Sequence, residues 1–185
     1  MKNITLSVVL ATLLVGCVQV PQESLSQQSK LAISSVRDIP VSYAQGSEFS
    51  LAPKYVKETS LKPAQTQAIY KLYADAIVAD LEQHGFISKP LAGEVKFHVG
   101  FGVALTDDLP DETINEKFGV SPGLPESDGL EKGSFLIYIE DALTGKRVWR
   151  GAVQGFAHLD ISKEERKQRA ENIVASVLKQ FYATN

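Results

Sequence analysis

The sequence predicts an α+β fold: a mixed, mainly antiparallel sheet of about four to five strands with two amphipathic helices packed on one face. Three stretches carry that expectation. Residues 94–105 alternate strictly, with Val95, Phe97, Val99, Phe101, Val103 and Leu105 on one side of a strand. Two stripes, within 63–85 and 162–182, repeat at helical spacing. Residues 134–158 read as a hairpin, so the segments from 94 to 158 form a three-stranded antiparallel meander with a helix before and a helix after.

Residues 31–55 hold Leu31, Ile33, Val36, Ile39, Val41 and Tyr43 at mixed spacing, interrupted by Pro40 and Gly46. One or two strands are expected, one of them ending at Phe49-Ser50-Leu51 before Pro53. Pro63 suits the first turn of a helix, whose inner stripe is Ile69, Tyr73, Ala76, Ile77 and Leu81, widened by Leu72. His84-Gly85-Phe86 is a stop: Gly85 accepts φ > 0, and Phe86 can fold back on Leu81.

In the strand 94–105 the second face carries Glu94, Lys96, His98, Gly100, Gly102 and Ala104. Its two glycines leave it bare, as where another backbone or a ligand comes close. Thr106 to Lys132 follows, a long acidic, Pro- and Gly-containing loop with Asp107, Asp108, Asp111 and Glu112 near its start. Such a long connection is usually functional or disordered. Ile114, Phe118, Val120 and Leu124 are apolar enough to pack back on the sheet, and the bare strip 100–104 is the expected seat. The acidic residues lack the spacing, central Gly and closing Glu of an EF-hand loop, so no metal is assigned.

Phe135 to Ile139 is apolar almost throughout, as in a central strand. Asp141 to Lys146 turns the chain, with Gly145 supplying a left-handed residue for a bulged turn, and Val148, Trp149, Val153 and Phe156 carry the return strand. Trp149 and Arg150 should face opposite ways, Trp149 into the core and Arg150 towards the surface. Ser162 and Glu165 form a capping box. Ala170, Ile173, Val174, Val177, Leu178, Phe181 and Tyr182 then give one continuous stripe that covers the sheet.

The amino terminus predicts location. Met1-Lys2-Asn3 is a short positive start, and Ile4 to Val15 is apolar except for Thr5, Ser7 and Thr12. Twelve residues are too few to cross a bilayer, which takes about 20. The pattern is that of a secretory signal. It ends on Leu14-Val15-Gly16-Cys17, which holds the chain's one cysteine. These four residues resemble the lipobox of bacterial lipoproteins. The resemblance implies cleavage between Gly16 and Cys17 and acylation of Cys17, palmitate being one acyl group. Val18 stands where an aspartate usually marks retention at the inner membrane, which implies a cell outer membrane anchor with the domain facing the periplasm. Two or more acyl chains hold a protein on a membrane where one holds marginally.

Loss of residues 1–16 leaves 169 residues, and the loss of Lys2 takes the net charge from −3 to −4. Residues 17–30 are the lipidated tether, and 31–185 are one domain. The Gln- and Ser-rich stretch Val18 to Lys30 reads as flexible, with an r.m.s. reach of about 20 Å. The acidic balance argues against nucleic acid. With Cys17 committed to lipid, no disulfide is expected and stability rests on the apolar core.

Around the hairpin, Lys132-Gly133-Ser134-Phe135-Leu136-Ile137-Tyr138-Ile139, Asp141-Ala142, Thr144-Gly145-Lys146 and Val148-Trp149-Arg150-Gly151 resemble the signature of a family of bacterial lipoproteins of unknown function, domain of unknown function 4136. The family's run is a strand, D-A-x-T-G-K, V-W-R-G and a C-terminal helix. The resemblance is close over these 20 residues and extends from about Phe49 to Phe181. It implies a mixed sheet with two helices on one side and an N-terminal lipid anchor. No activity is established for the family, so Cys17 is the single functional residue it transfers.

No catalytic residue or cofactor is assigned. His84 ends a helix, His98 lies mid-strand and His158 follows a strand; no G-x-S-x-G elbow exists. A zinc site shared by His98 and His158 would lack a nameable third ligand. The favoured reading is a non-enzymatic envelope interaction or assembly module, with the membrane and an envelope protein as partners. The alternative is a periplasmic small-ligand binder, or weak enzyme, whose cleft lies between the 94–105 polar face and the loop 106–132. Its candidate ligand face is His98, Gly100, Gly102, Asp107 and Asp108.

Overall fold

The computed structural model describes residues 29–54, 59–158 and 161–183. The signal, Gly16, Cys17 and the tether up to residue 28 lie outside the described residues. Six strands are present: β1 (Leu31–Arg37), β2 (Glu48–Leu51), β3 (Ile87–Ser88), β4 (Phe97–Leu105), β5 (Lys132–Asp141) and β6 (Arg147–Phe156). Three helices join them: α1 (Pro63–Gln83), α2 (Asp111–Phe118) and α3 (Lys163–Tyr182).

The strands form one sheet in the order β1-β6-β5-β4-β2-β3. β4, β5 and β6 make the expected antiparallel meander, and β1 adds to it antiparallel on β6. β2 runs parallel to both β4 and β3. Parallel neighbours need a long crossover, and α1 lies within it. The sheet is therefore mixed, as expected, with six strands rather than four or five. The additional strands are short or lie at an edge: β3 has two residues, and β1 is half-buried along most of its length.

Two further expectations are corrected. The strand expected from Glu94 begins at Phe97. Gly93 N–H bonds to Pro90 O, so the chain is still leaving a turn at residues 94–96, and Val95 is only partly buried. The segment 106–132 contains a helix, α2, entered at Pro110 and stopped by Gly119 at φ 70°.

The core lies on one face of the sheet. Phe97, Val99 and Phe101 of β4, Phe135, Ile137 and Ile139 of β5, and Trp149 and Val153 of β6 meet Tyr70, Ala76, Ile77 and Leu81 of α1 and the full stripe of α3. Each large apolar side chain sealed there contributes about 1.5–3 kcal/mol. Both long helices lie on that face, and their rings interleave with the sheet's: Tyr73 stacks on Phe135 at 4.7 Å, and Phe181 meets Trp149 at 5.6 Å. Close approach of α3 excludes a side chain at position 151. A Cβ there would stand 2.5 Å from Val177 Cγ2.

The ends of both helices are built as the sequence predicts. Phe86 N–H bonds to Leu81 O at 3.1 Å and Gly85 N–H to Glu82 O at 3.0 Å, with Gly85 at φ 87°, a Schellman stop. Glu165 N–H donates to Ser162 Oγ at 3.1 Å, and Ser162 N–H to Glu165 Oε2 at 2.9 Å. In the hairpin turn Gly145 has φ 63°, and the register shifts at Ile139/Glu140, a bulge.

Candidate functional site

The second face of the sheet holds His98, Gly100 and Gly102 of β4, while Asp107 and Asp108 lie in the turn beyond its end. Alternation places His98, Gly100, Gly102 and Ala104 of β4 there, beside Ser134, Leu136, Tyr138 and Glu140 of β5 and Arg147, Arg150, Ala152 and Gln154 of β6. Trp149 points the other way, into the core, as expected.

The bare strip is filled at close range, at Gly102 by the Lys54 carbonyl, 3.2 Å from where a Cβ would stand, and at Gly100 from within the sheet. Tyr138, the register partner of Gly100, lies across it, and a Cβ at position 100 would stand 2.1 Å from the Tyr138 ring. Ala104 is buried. Burial and the neighbouring Glu140 carboxylate push the Tyr138 hydroxyl pKa up, against the pull of Arg147.

The segment 106–132 does pack back on this face, but its seat is β5 and β6 rather than the strip 100–104. Ile114 and Val120 close on Ala152, with Leu109, Phe118 and Leu136 around them, a cluster separate from the main core. Phe118 also meets Tyr138 edge-on at 6.2 Å. The apolar contact is framed by two polar sets. In one, the buried Lys132 ammonium bonds to Asp111 Oδ2 at 2.8 Å and to Leu124 O at 3.2 Å. Gln154, fully buried, donates to Asp111 Oδ1 and accepts from Leu124 N–H at 3.0 Å. In the other, Asp38 sits between two guanidinium groups, Arg147 at 3.2 Å and Arg150 at 3.0 Å. Arg150 lies against Gly119, where α2 ends, and Arg147 stacks over Phe118 at 5.5 Å. A cation beside a helix C-terminus is favoured by the helix dipole.

Of the acidic candidates, Asp108 accepts from Thr59 Oγ1, Ser60 N–H and Ser60 Oγ at 2.8–3.1 Å. It ties the start of the loop to the chain that enters α1. Asp107 is exposed beside it. Among the described residues no three His, Cys, Asp or Glu side chains gather as a metal site.

His98 has a partner that the sequence reading missed. Ser50 is its neighbour across the parallel β2–β4 pair, and Ser50 Oγ lies 2.7 Å from His98 Nδ1. A serine beside a histidine invites a nucleophile reading. Ser50 is fully buried, however, so an acyl carbon has no path to its oxygen. The pair joins two strands. Ser50, Lys132, Gln154, Asp38 and Arg147 all escaped sequence reasoning.

Two open cavities lie on the helix side, neither touching the candidate residues. One, of about 580 Å³, is lined by Asp80, His84, Lys179 and Tyr182 where α1 and α3 end. There the Tyr182 hydroxyl donates to Asp80 Oδ2 at 2.6 Å, His84 stacks on the Tyr182 ring, and burial first, then Asp80, raises the Tyr182 pKa. The other, of about 310 Å³, lies between the start of β1 and α3. Among the described residues no helix is long and apolar enough to cross a membrane.

These features define an α+β domain with two helices on one face of a mixed sheet and a strapped second face. The profile of the family described as domain of unknown function (DUF4136) matches residues 37–181, and the chain belongs to that family. The chain is similar to several solved structures at low identity. A DUF4136 family protein from Bacteroides thetaiotaomicron is 16% identical, with TM-score 0.47 over 84% of this chain and 97% of that one. The PelC dodecamer from Paraburkholderia phytofirmans is 12% identical, with TM-score 0.47 over 80% and 95%. A lipoprotein from Neisseria meningitidis is 13% identical, with TM-score 0.40 over 75% and 99%. No curated protein matches the chain.

Proposed function

We propose that this protein is a lipid-anchored envelope lipoprotein that works by protein–protein contact, as an interaction or assembly module without an enzymatic activity. The observation that carries the reading is Leu14-Val15-Gly16-Cys17 at the end of a twelve-residue apolar run that begins just after Lys2. An anchor through Cys17 holds the domain on the periplasmic side of the outer membrane, with Val18 as the residue that permits export there.

The second face supports the contact reading over the small-ligand one. The cleft required by a ligand binder is occupied by Tyr138 over Gly100 and by Ile114 and Val120 over Ala152. What the strap offers outward is α2, with Glu112, Glu116 and Lys117 exposed, a surface suited to a protein rather than to an enclosed molecule. The test is affinity capture of the membrane-bound full chain after in situ crosslinking. A stable, reproducible envelope partner or a self-assembly is expected. A chain recovered alone and monomeric overturns the proposal.

A further inference from the structure

We infer that the cavity between the ends of α1 and α3 binds a small zwitterion, an amine and a carboxylate carried on one short chain, as in a free amino acid. Its ammonium meets Asp80 and its carboxylate meets Lys179. The site lies on the helix side, away from the strapped face of the sheet, and is independent of the anchor and of any protein partner.

Asp80 carries a charge that the fold leaves uncompensated. Its side chain is 12% exposed. A carboxylate withdrawn from water is costly unless a cation or several hydrogen bonds meet it. The Tyr182 hydroxyl donates to Oδ2 at 2.6 Å, and burial first, then Asp80 itself, raises the Tyr182 pKa so that the proton stays in place. His84 gives its Nδ1 proton to the Asp80 carbonyl at 2.8 Å, because a carbonyl only accepts. The same nitrogen stands 3.6 Å from Oδ2, beyond hydrogen-bond range. Among the described residues no lysine or arginine pairs with Asp80. The backbone adds to the imbalance. Asp80 lies in the last turn of α1, which holds no basic residue, and the carbonyl end of a helix favours a cation. Tyr182 therefore holds one carboxylate oxygen, and the other is a positioned acceptor without a cation.

Lys179, one turn before Tyr182 on α3, lines the same cavity, and among the described residues its ammonium is in no ion pair. Two opposite charges that share a cavity without closing on each other suit a guest that brings the complement of both. A molecule with one charge would leave the other pole unanswered. Ala175, exposed and one turn further back, is small enough to leave the floor open. The His84 ring, stacked on Tyr182 at 3.7 Å, forms a wall. The cavity, of about 580 Å³, has room for a molecule of amino-acid size.

The test is isothermal titration calorimetry of the full mature chain in detergent micelles with three probes of similar size. β-Alanine has both charges, propylamine the amine alone and propionate the acid alone. β-Alanine should bind most tightly. Asp80→Asn keeps an acceptor for Tyr182 and should weaken β-alanine about tenfold. Lys179→Met should bring β-alanine down to the level of propylamine. Ala175→Leu leaves both charges and should abolish binding by filling the floor. Without a probe, Asp80→Asn should unfold at no lower a temperature than the parent chain, since an uncompensated charge has gone. A large loss of stability in Asp80→Asn would make the carboxylate a structural group and overturn the site. So would the absence of β-alanine binding, equal affinity for propionate, or an Asp80→Asn chain that binds β-alanine as before. A chain without its anchor or without a protein partner should give the same titrations, which separates failure of the site from failure of the contact reading.

Discussion

Tyr138 occupies the space that a side chain at position 100 would need. Its ring atoms would approach a Cβ on Gly100 to 2.1 Å, the tightest such contact at any glycine of the described chain. The glycine that reads in the sequence as an invitation to a ligand is thus an accommodation of the adjacent strand's own tyrosine. Gly100→Ala should destabilise the protein by about 1–3 kcal/mol through overpacking. Most of that loss should return in the Gly100→Ala/Tyr138→Ser double variant. Chemical denaturation of the four members of this cycle measures it.

The strap is held by an ion pair whose two ends are unequally buried. The Lys132 side chain is 6% exposed, and that of Asp111 42%. Removing the carboxylate strands a buried ammonium, while removing the ammonium leaves a carboxylate that still accepts from Gln154 and reaches water. Asp111→Ala should therefore cost more than Lys132→Met, by about 1–2 kcal/mol. Hydrogen exchange should rise first in residues 111–124, because the cluster beneath them is separate from the main core. Equal costs, or exchange that rises equally in α3, would contradict this account of the strap.

Asp141 organises the hairpin turn. Its Oδ1 accepts from Thr144 Oγ1 at 2.8 Å and Thr144 N–H at 2.9 Å, and these bonds, led by the hydroxyl, hold its pKa below the ordinary 3.8. A carboxylate with a lowered folded-state pKa stabilises the fold fully above its unfolded value. That contribution is lost as pH falls through the folded-state value. Stability should therefore decline below about pH 4. Thr144→Val should weaken the fold by about 0.5–1 kcal/mol at neutral pH and flatten the acid limb. Urea midpoints from pH 2 to 7 for the two chains give the comparison.

The parts of this molecule that repeat along the chain were legible before folding. Phe97, Val99 and Phe101 announce a face because a strand has period two, and Ile173, Val174, Val177 and Leu178 announce one because a helix has period 3.6. Gly85 and the Ser162–Glu165 pair mark their ends by local chemistry. The parts set by distant partners were not legible. Ser50 meets His98 across 48 residues, and Lys132 meets Asp111 across 21. Neither pairing leaves a trace in local spacing. α2 was hidden because its eight residues bury Ile114 alone. The two-residue β3 lies below the length at which alternation can be seen.

The central claim is that Cys17 carries lipid and begins the mature chain. Intact mass spectrometry of the protein from its native membrane tests it most directly. The account predicts a polypeptide starting at Cys17 with added diacylglyceryl and N-acyl mass, and a Cys17→Ser chain that lacks both and no longer fractionates with membranes. An unmodified chain that begins elsewhere, or a Cys17→Ser protein that stays membrane-bound, would contradict it.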